Sequence, residues 1–235
     1  MNKIKVLVAE DEASIREFIV INLQRAGYDV VEAVDGQDAY EKYQLYSSEI
    51  SIAVLDVMMP RMDGFELCKK LRGMSNNIGI MMLTAKTQEM DKVSGLLLGA
   101  DDYVTKPFSP SEFTARVDAL ARRVSASGGK AEKNSEDDVI VSGEFRLDCK
   151  SRSLTKNGRY IDITQVEFQI LEYFFRNQGT ALSRTSILNR VWGKDYYGEE
   201  KIVDVNIRRV RKKIEDDASN PRHLLTIWGL GYKWI

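Results

Sequence analysis

The sequence predicts an α/β domain with a doubly wound, five-stranded parallel sheet, followed by a smaller α+β domain. Three observations predict this. Residues 1–123 alternate five short apolar runs with amphipathic stretches of helical period, the pattern of a parallel sheet covered by helices on both faces. Residues 124–137 are rich in Ser, Gly, Lys, Glu, Asn and Asp with almost no apolar side chain, and read as a flexible, solvated linker. Residues 138–235 change to short strands, turn signals and three helical stretches.

In the first domain, a strand over 4–9 ends in Glu10-Asp11-Glu12. Residues 12–26 are amphipathic, with Ile15, Phe18, Ile19 and Leu23 on one face, and Gly27 stops the helix. A second strand spans 28–33 and a helix 36–46. The third strand, Ile52-Ala53-Val54-Leu55, ends in one carboxylate, Asp56, ahead of Pro60 and a turn at Asp63-Gly64. A short helix covers 65–71. The fourth strand, 79–83, ends in Thr84-Ala85, and a helix follows over 89–98. The fifth strand, near 103–105, ends in Lys106-Pro107, and the last helix covers 110–124.

Open parallel sheets place their ligands at the carboxyl ends of the strands. Alone there, Asp56 would be a helix cap or a solvated loop residue. Here an acid pair, a lone carboxylate, a hydroxyl and an ammonium stand at successive strand ends. Clustered carboxylates resist ionising unless a cation joins them. Hard oxygen ligands without Cys or His suit Mg²⁺. A carboxylate nucleophile with such neighbours is equipped to accept a phosphoryl group as an aspartyl phosphate, the positive groups neutralising the transferring oxygens.

The second domain begins with short strands over 139–149, 153–155 and 160–163, with an Asn-Gly hairpin signal at 157–158. Thr164-Gln165-Val166-Glu167 is a capping box opening a helix to about 177, with Val166, Phe168, Ile170, Leu171, Phe174 and Phe175 as its core face. Ser183 caps a second helix over 184–191. After an aromatic loop, 192–198, a third helix runs over 199–215, and a Gly-bounded hairpin around 228–231 closes the chain. On a helical wheel Val203, Ile207, Val210 and Ile214 form the buried stripe. Lys201, Val205, Arg208, Arg209 and Lys212 lie opposite, and with Arg211 they are the candidate DNA contacts. A basic helix after a short turn, followed by a hairpin, is the arrangement of a winged helix-turn-helix, and its residue types suit phosphates, guanine edges and a thymine methyl.

The strand-end set Glu10-Asp11, Asp56, Thr84 and Lys106 resembles a response-regulator receiver domain, of flavodoxin-like fold. TQVEFQIL (164–171), VDVNIRRVRKKI (203–214) and WGLGYKW (228–234) resemble the effector motifs of the OmpR/PhoB family. The resemblance implies that Asp56 is the phospho-acceptor for a sensor histidine kinase. It implies Asp11 and the Met58 carbonyl as direct Mg²⁺ ligands, with Glu10 acting through water where many receivers carry a second aspartate. Thr84 is then the switch hydroxyl, Tyr103 the switch aromatic, Lys106 the phosphate-pairing ammonium, and Lys106-Pro107 a cis peptide. Lys92, Asp101, Asp102, Glu112, Arg116 and Arg123 would form cross-subunit ion pairs in a homodimer of the phosphorylated protein. The 192–198 loop would face RNA polymerase, or simply pack. Trp228 stands where some relatives carry an arginine that reaches the minor groove; it would pack on the hairpin or lie against a sugar. The implied function is phosphorylation-dependent regulation of transcription at double-stranded promoter DNA.

Charge is divided in the same sense. Residues 1–123 hold 15 Lys and Arg against 19 Asp and Glu, whereas residues 138–235 hold 17 against 13, which hints at a nucleic-acid partner for the second domain. No apolar run approaches the roughly 18 residues of a membrane span, and three acids by Glu12 leave no signal peptide. Two cysteines in different halves fit the reducing cytoplasm. The single histidine, His223, offers no zinc or triad chemistry and is expected in a surface or turn role. Two other readings remain: a Mg²⁺-dependent phosphohydrolase, for which the short loops offer no substrate pocket, and a phosphate-independent DNA-binding scaffold, which would not need the complete acid, hydroxyl and lysine set.

Overall fold

A computed structural model describes residues 3–85, 98–125, 138–194, 196 and 198–235. The helix expected over 89–98, with Lys92, and most of the expected linker lie outside the described residues. The chain divides into two compact units, Met1–Ala126 and Ser127–Ile235, and each is described by itself.

In the first unit, β1 (Lys5–Ala9), β2 (Asp29–Ala33), β3 (Ile50–Asp56), β4 (Gly79–Ala85) and β5 (Asp102–Lys106) form one parallel sheet in the order β2-β1-β3-β4-β5. The helices are α1 (Ala13–Arg25), α2 (Gly36–Tyr46), α3 (Gly64–Met74) and α4 (Pro110–Ser125). Strands β1, β3 and β4 lie inside the sheet, so their Val, Ile and Leu side chains are buried on both faces, as near-continuous apolar runs require. Val6, Val8, Ile52, Val54, Met81, Leu83 and Val104 pack with Ile19 and Leu23 of α1 and Phe113, Val117 and Leu120 of α4. The order reverses between β1 and β3, and ligands of such sheets bind at that switch point. α3 starts where it does because Asp63 caps it, accepting from the Glu66 N–H at 2.8 Å. Only glycine fits at 64, since a Cβ there would collide with the backbone carbonyl of Asp56.

The second unit opens with an antiparallel sheet of β6 (Val139–Ser142), β7 (Phe145–Asp148), β8 (Ser153–Lys156) and β9 (Arg159–Ile161). The strand expected over 139–149 is in fact two. Gly143, at φ +56°, reverses the chain between them. Helices α5 (Gln165–Phe175), α6 (Arg184–Val191) and α7 (Lys201–Ile214) follow. β10 (Ala181–Ser183), which the sequence reading missed, pairs with β12 (Gly231–Trp234), and β12 pairs with β11 (Leu224–Ile227). Three residues are too few for a period-2 pattern to show. Thr164 and Glu167 complete the expected capping box. Trp234 joins the layers, packed edge-on or tilted against Phe145, Phe175 and His223, with its indole N–H donating to Ser142 Oγ at 2.8 Å. His223 sits in the bend before β11, partly exposed, as a turn residue does. Its ring lies 4.9 Å from that of Phe145, and its Nδ1 is 2.9 Å from Glu215 Oε2.

One cation secures the start of β5. Arg72 of α3 donates to the Gly99 carbonyl and pairs with Asp101, and both side chains are buried. Removing one partner of such a pair leaves an uncompensated buried charge. Arg72→Ala is expected to lower the first domain's stability by about 3 kcal/mol. Urea unfolding followed by far-UV circular dichroism measures this, and an unchanged first transition would show that the pair carries no such weight.

Candidate functional site

The strand ends of β1, β3 and β5 bring the expected residues together. Lys106 Nζ lies 2.7 Å from Glu10 Oε2 and 2.9 Å from Asp56 Oδ1. Glu10 and Asp56 are buried, whereas Asp11 is exposed at the rim. One carboxylate oxygen from each of Glu10, Asp11 and Asp56 lies within 4.8 Å of the others. Such a set of hard oxygens, with no sulfur or nitrogen donor among them, fits a hard divalent cation. Thr84 is buried near the carboxyl end of β4, and Tyr103 is buried at the second position of β5, beside Met82. Met58 leaves β3 with its side chain exposed, so any part it takes at the pocket is through its backbone carbonyl. The Lys106–Pro107 bond is cis.

Burial raises the Asp56 carboxyl above its usual range, and Asp11 adds to the rise, against the pull of Lys106. Glu10 is raised by burial too, opposed by its bond to Lys106. Lys106 is held above its ordinary value, because its two carboxylate partners outweigh its own burial. The pocket thus keeps an excess of negative charge in little water, a state that an entering cation relieves. A carboxyl raised by folding is destabilising when ionised, and that cost vanishes as pH falls and both states become protonated. Asp56→Asn is therefore expected to raise the first domain's unfolding midpoint at neutral pH without divalent cation. The difference from the parent chain should close on acidification, and a lower midpoint for the variant at neutral pH would contradict this.

Two expected sets are paired inside their own domains. Asp101, Asp102, Arg116 and Arg123 are buried in the free unit. Asp101 is turned inward to Arg72, and its Oδ2 accepts from the Ile80 N–H at 2.8 Å. Arg116 pairs with Asp102 at 3.2 Å and with Glu112 at 2.9 Å, and Arg123 lies 4.0 Å from Asp102. A buried charge must find a counter-charge, and within this unit the partners are its own.

The second set is that of α7, where the helical wheel needs correction. Its buried side is wider than one stripe and includes Ile202, Val205, Asn206 and Arg209. Arg209 is only 7 % exposed, its guanidinium 3.0 Å from Glu167 Oε1 and donating to Asn206 Oδ1 at 3.2 Å. Glu167 is fully buried and also accepts from Lys213 Nζ at 2.6 Å and from the Thr164 N–H at 2.8 Å. Lys201, Arg208 and Lys212 are exposed as expected. Arg211 turns to the hairpin, donating to the Leu224 carbonyl at 2.8 Å and Thr226 Oγ1 at 2.9 Å. The wheel misplaced Arg209, which Glu167 of α5 holds inward, and Val205, which is buried as well. In the 192–198 loop Trp192 is buried, its ring 6.2 Å from that of Tyr196; Asp195 and Tyr197 lie outside the described residues.

Burial drives the Glu167 carboxyl up, but Arg209 and Lys213 together outweigh it and hold it below its usual range. Its contribution to stability is then present above the unfolded-chain value and lost as pH falls through the lower folded value. The unfolding midpoint of the second domain should fall on acidification below about pH 4.5, and do so less steeply in Glu167→Gln. Arg209→Ala is expected to cost about 2–3 kcal/mol at neutral pH, Lys213 retaining part of the compensation. Denaturant titration by tryptophan fluorescence checks both. A pH slope identical in Glu167→Gln would overturn the assignment.

Residues 6–118 match the response regulator receiver domain family, and residues 158–234 the family described as transcriptional regulatory protein, C terminal. The chain is 42% identical over 228 residues to the sensory transduction protein RegX3 of Mycobacterium tuberculosis, covering 97% of each chain. It is 44% identical over 235 residues to the alkaline phosphatase synthesis transcriptional regulatory protein PhoP of Bacillus subtilis, covering 99% of this chain and 97% of that one. Among solved structures it resembles the response regulator DrrB, a Thermotoga maritima OmpR/PhoB homologue, at 30% identity and TM-score 0.50, with 99% of both chains covered.

Proposed function

We propose, from the premise that this chain belongs to the OmpR/PhoB family of two-component response regulators, that Asp56 is the acceptor through which phosphorylation controls its DNA binding. The chain is a two-component transcription regulator and not a catalytic enzyme, and its family implies a histidine kinase as phosphoryl donor. The observation that carries the proposal is the Lys106 ammonium bridging Glu10 and Asp56, two buried carboxylates at neighbouring strand ends. Asp56 offers the attacking oxygen, and Lys106 is in place to pair with the phosphoryl oxygens. Asp11, Asp56 and the Met58 carbonyl would hold Mg²⁺, with Glu10 acting through water. When bound, the ion supplies positive charge to the incoming group.

A phosphoryl group on Asp56 competes for Lys106, which then loosens its hold on Glu10. Thr84 is proposed to turn toward the new oxygens, leaving space for Tyr103, a local charge event that biases a two-state element. We place the homodimer on the β5 and α4 face, around Asp102, Glu112, Arg116 and Arg123. Such a dimer must exchange internal ion pairs for shared ones, so the pairing in the free unit is the barrier that phosphorylation lowers. Two second domains on one duplex then multiply their affinities. Lys201, Arg208 and Lys212 are the proposed direct contacts to promoter DNA, and the 192–198 loop is proposed to face RNA polymerase. A DNA-bound regulator with a kinase donor is placed in the cytoplasm.

Sedimentation with beryllofluoride and Mg²⁺, paired with binding to a duplex selected from random sequence, tests this. The treated chain should become dimeric and bind about 10-fold or more tightly, as linked sites do. A monomer of unchanged affinity would contradict the dimer mechanism.

A further inference from the structure

The turn between β3 and α3 contains a non-glycine residue in left-handed backbone, Arg61 at φ +65°. Such a backbone is unfavourable for a residue with a Cβ and persists only where its surroundings fix it. Here the fixing partner is a buried acid on another turn. Arg61 donates through Nε to Asp35 Oδ2 at 2.7 Å, and its Nη2 donates to the same oxygen. Asp35 is 5 % exposed and caps α2, its Oδ1 accepting from the N–H groups of Gln37 at 2.9 Å and Asp38 at 3.0 Å. The Arg61 side chain is itself mostly exposed, so the pair adds little to the core. Beside it the Met62 carbonyl lies against Gly36, where a Cβ would collide with it. The Met59 and Met62 side chains are buried, and the Met62 N–H donates back to the Pro60 carbonyl at 2.7 Å. At its base the turn closes through the Gly64 N–H to the Val57 carbonyl at 3.0 Å. Met58 lies between these two fastenings with its own side chain exposed, so its backbone is held by the turn and not by packing.

We propose that Asp35 and Arg61 are positioning residues for the divalent cation, their bond fixing the turn from which the Met58 carbonyl serves it. The inference rests on the reading of the pocket as a Mg²⁺ site. A backbone carbonyl has no rotamer of its own, so its aim is set by the conformation of the turn that carries it. Mg²⁺ demands near-ideal octahedral geometry and tolerates little misplacement of a ligand. Partners one layer out from the ligands are therefore felt in metal affinity. Asp35 acts from the start of α2, through Arg61, without touching the ion.

The test uses the full chain and Mn²⁺, a hard ion suited to the same oxygen donors, with the free ion counted by electron paramagnetic resonance. Arg61→Gly removes the guanidinium and keeps the left-handed backbone, which glycine adopts freely. Asp35→Asn keeps a cap for α2 and removes the charge that holds Arg61. Each should weaken Mn²⁺ binding roughly 10-fold. The double variant should be no weaker than either single one, since the same bond is lost in all three. Charge alone would move the two single variants in opposite directions, because one loses a cation near the acids and the other an anion. Labelling by acetyl phosphate should need about 10-fold more Mg²⁺ to reach an unchanged maximum. Parental affinity in both variants, with only the unfolding midpoint lowered, would reduce the pair to a structural tie and overturn the proposal, as would opposite shifts. If the parent chain takes up no ion, or Asp11→Asn takes it up equally, the cation-site reading fails and the inference with it.

Discussion

The Lys106 ammonium, set between the carboxylates of Glu10 and Asp56 at 2.7 and 2.9 Å, is the interaction on which the chemistry proposed for the first domain depends. Burial of two acids at neighbouring strand ends is unfavourable by itself. Three features of the fold make it tolerable. β1, β3 and β5 are parallel strands whose carboxyl ends share one edge of the sheet. Glycine at 64 lets α3 pack against the Asp56 carbonyl. Lys106 reaches back from the end of β5 to both acids. One ammonium does not fully neutralise this site, since burial still raises both carboxyls. The domain therefore trades some stability for a pocket that favours an added cation and a nucleophilic carboxylate.

The second domain solves a similar problem to a different end. Glu167 is buried against two cations of α7 and held below its usual range. Its carboxylate also closes the capping box of α5. One side chain thus starts one helix and orients another. Lys156 adds to this, donating to the Ile214 carbonyl at the last turn of α7. The helix that presents Arg208 and Lys212 is held from α5, from the β8 side and from the hairpin, so its exposed cations are pre-positioned.

Much of this was legible in the sequence for physical reasons. The five strands, the helices that follow the first, second, third and fifth of them, the strand-end acids and lysine, the capping box and the limits of α6 all follow from local pattern. What was not legible depended on tertiary neighbours. A helical wheel assumes one buried stripe, so it placed Arg209 and Val205 in the open, whereas Glu167 of α5 draws Arg209 inward and Val205 is buried. Charge spacing alone could not tell that Asp101 turns to Arg72 or that Arg116 turns to Asp102. The β6–β7 reversal at Gly143 and the three-residue β10 were too short to signal themselves. The Glu167–Arg209 pair, 42 residues apart in the chain, could have been suspected only from the oddity of an acid on an otherwise apolar helix face.

The central claim is that the carboxylate held by Lys106 is the one that reacts. Incubation of the full chain with acetyl phosphate and Mg²⁺, followed by intact mass and peptide mapping, tests it most directly. The account predicts one added phosphoryl group, carried on the peptide containing Asp56 and absent from Asp56→Asn. A phosphoryl group mapped elsewhere, or equal labelling of Asp56→Asn, would contradict it.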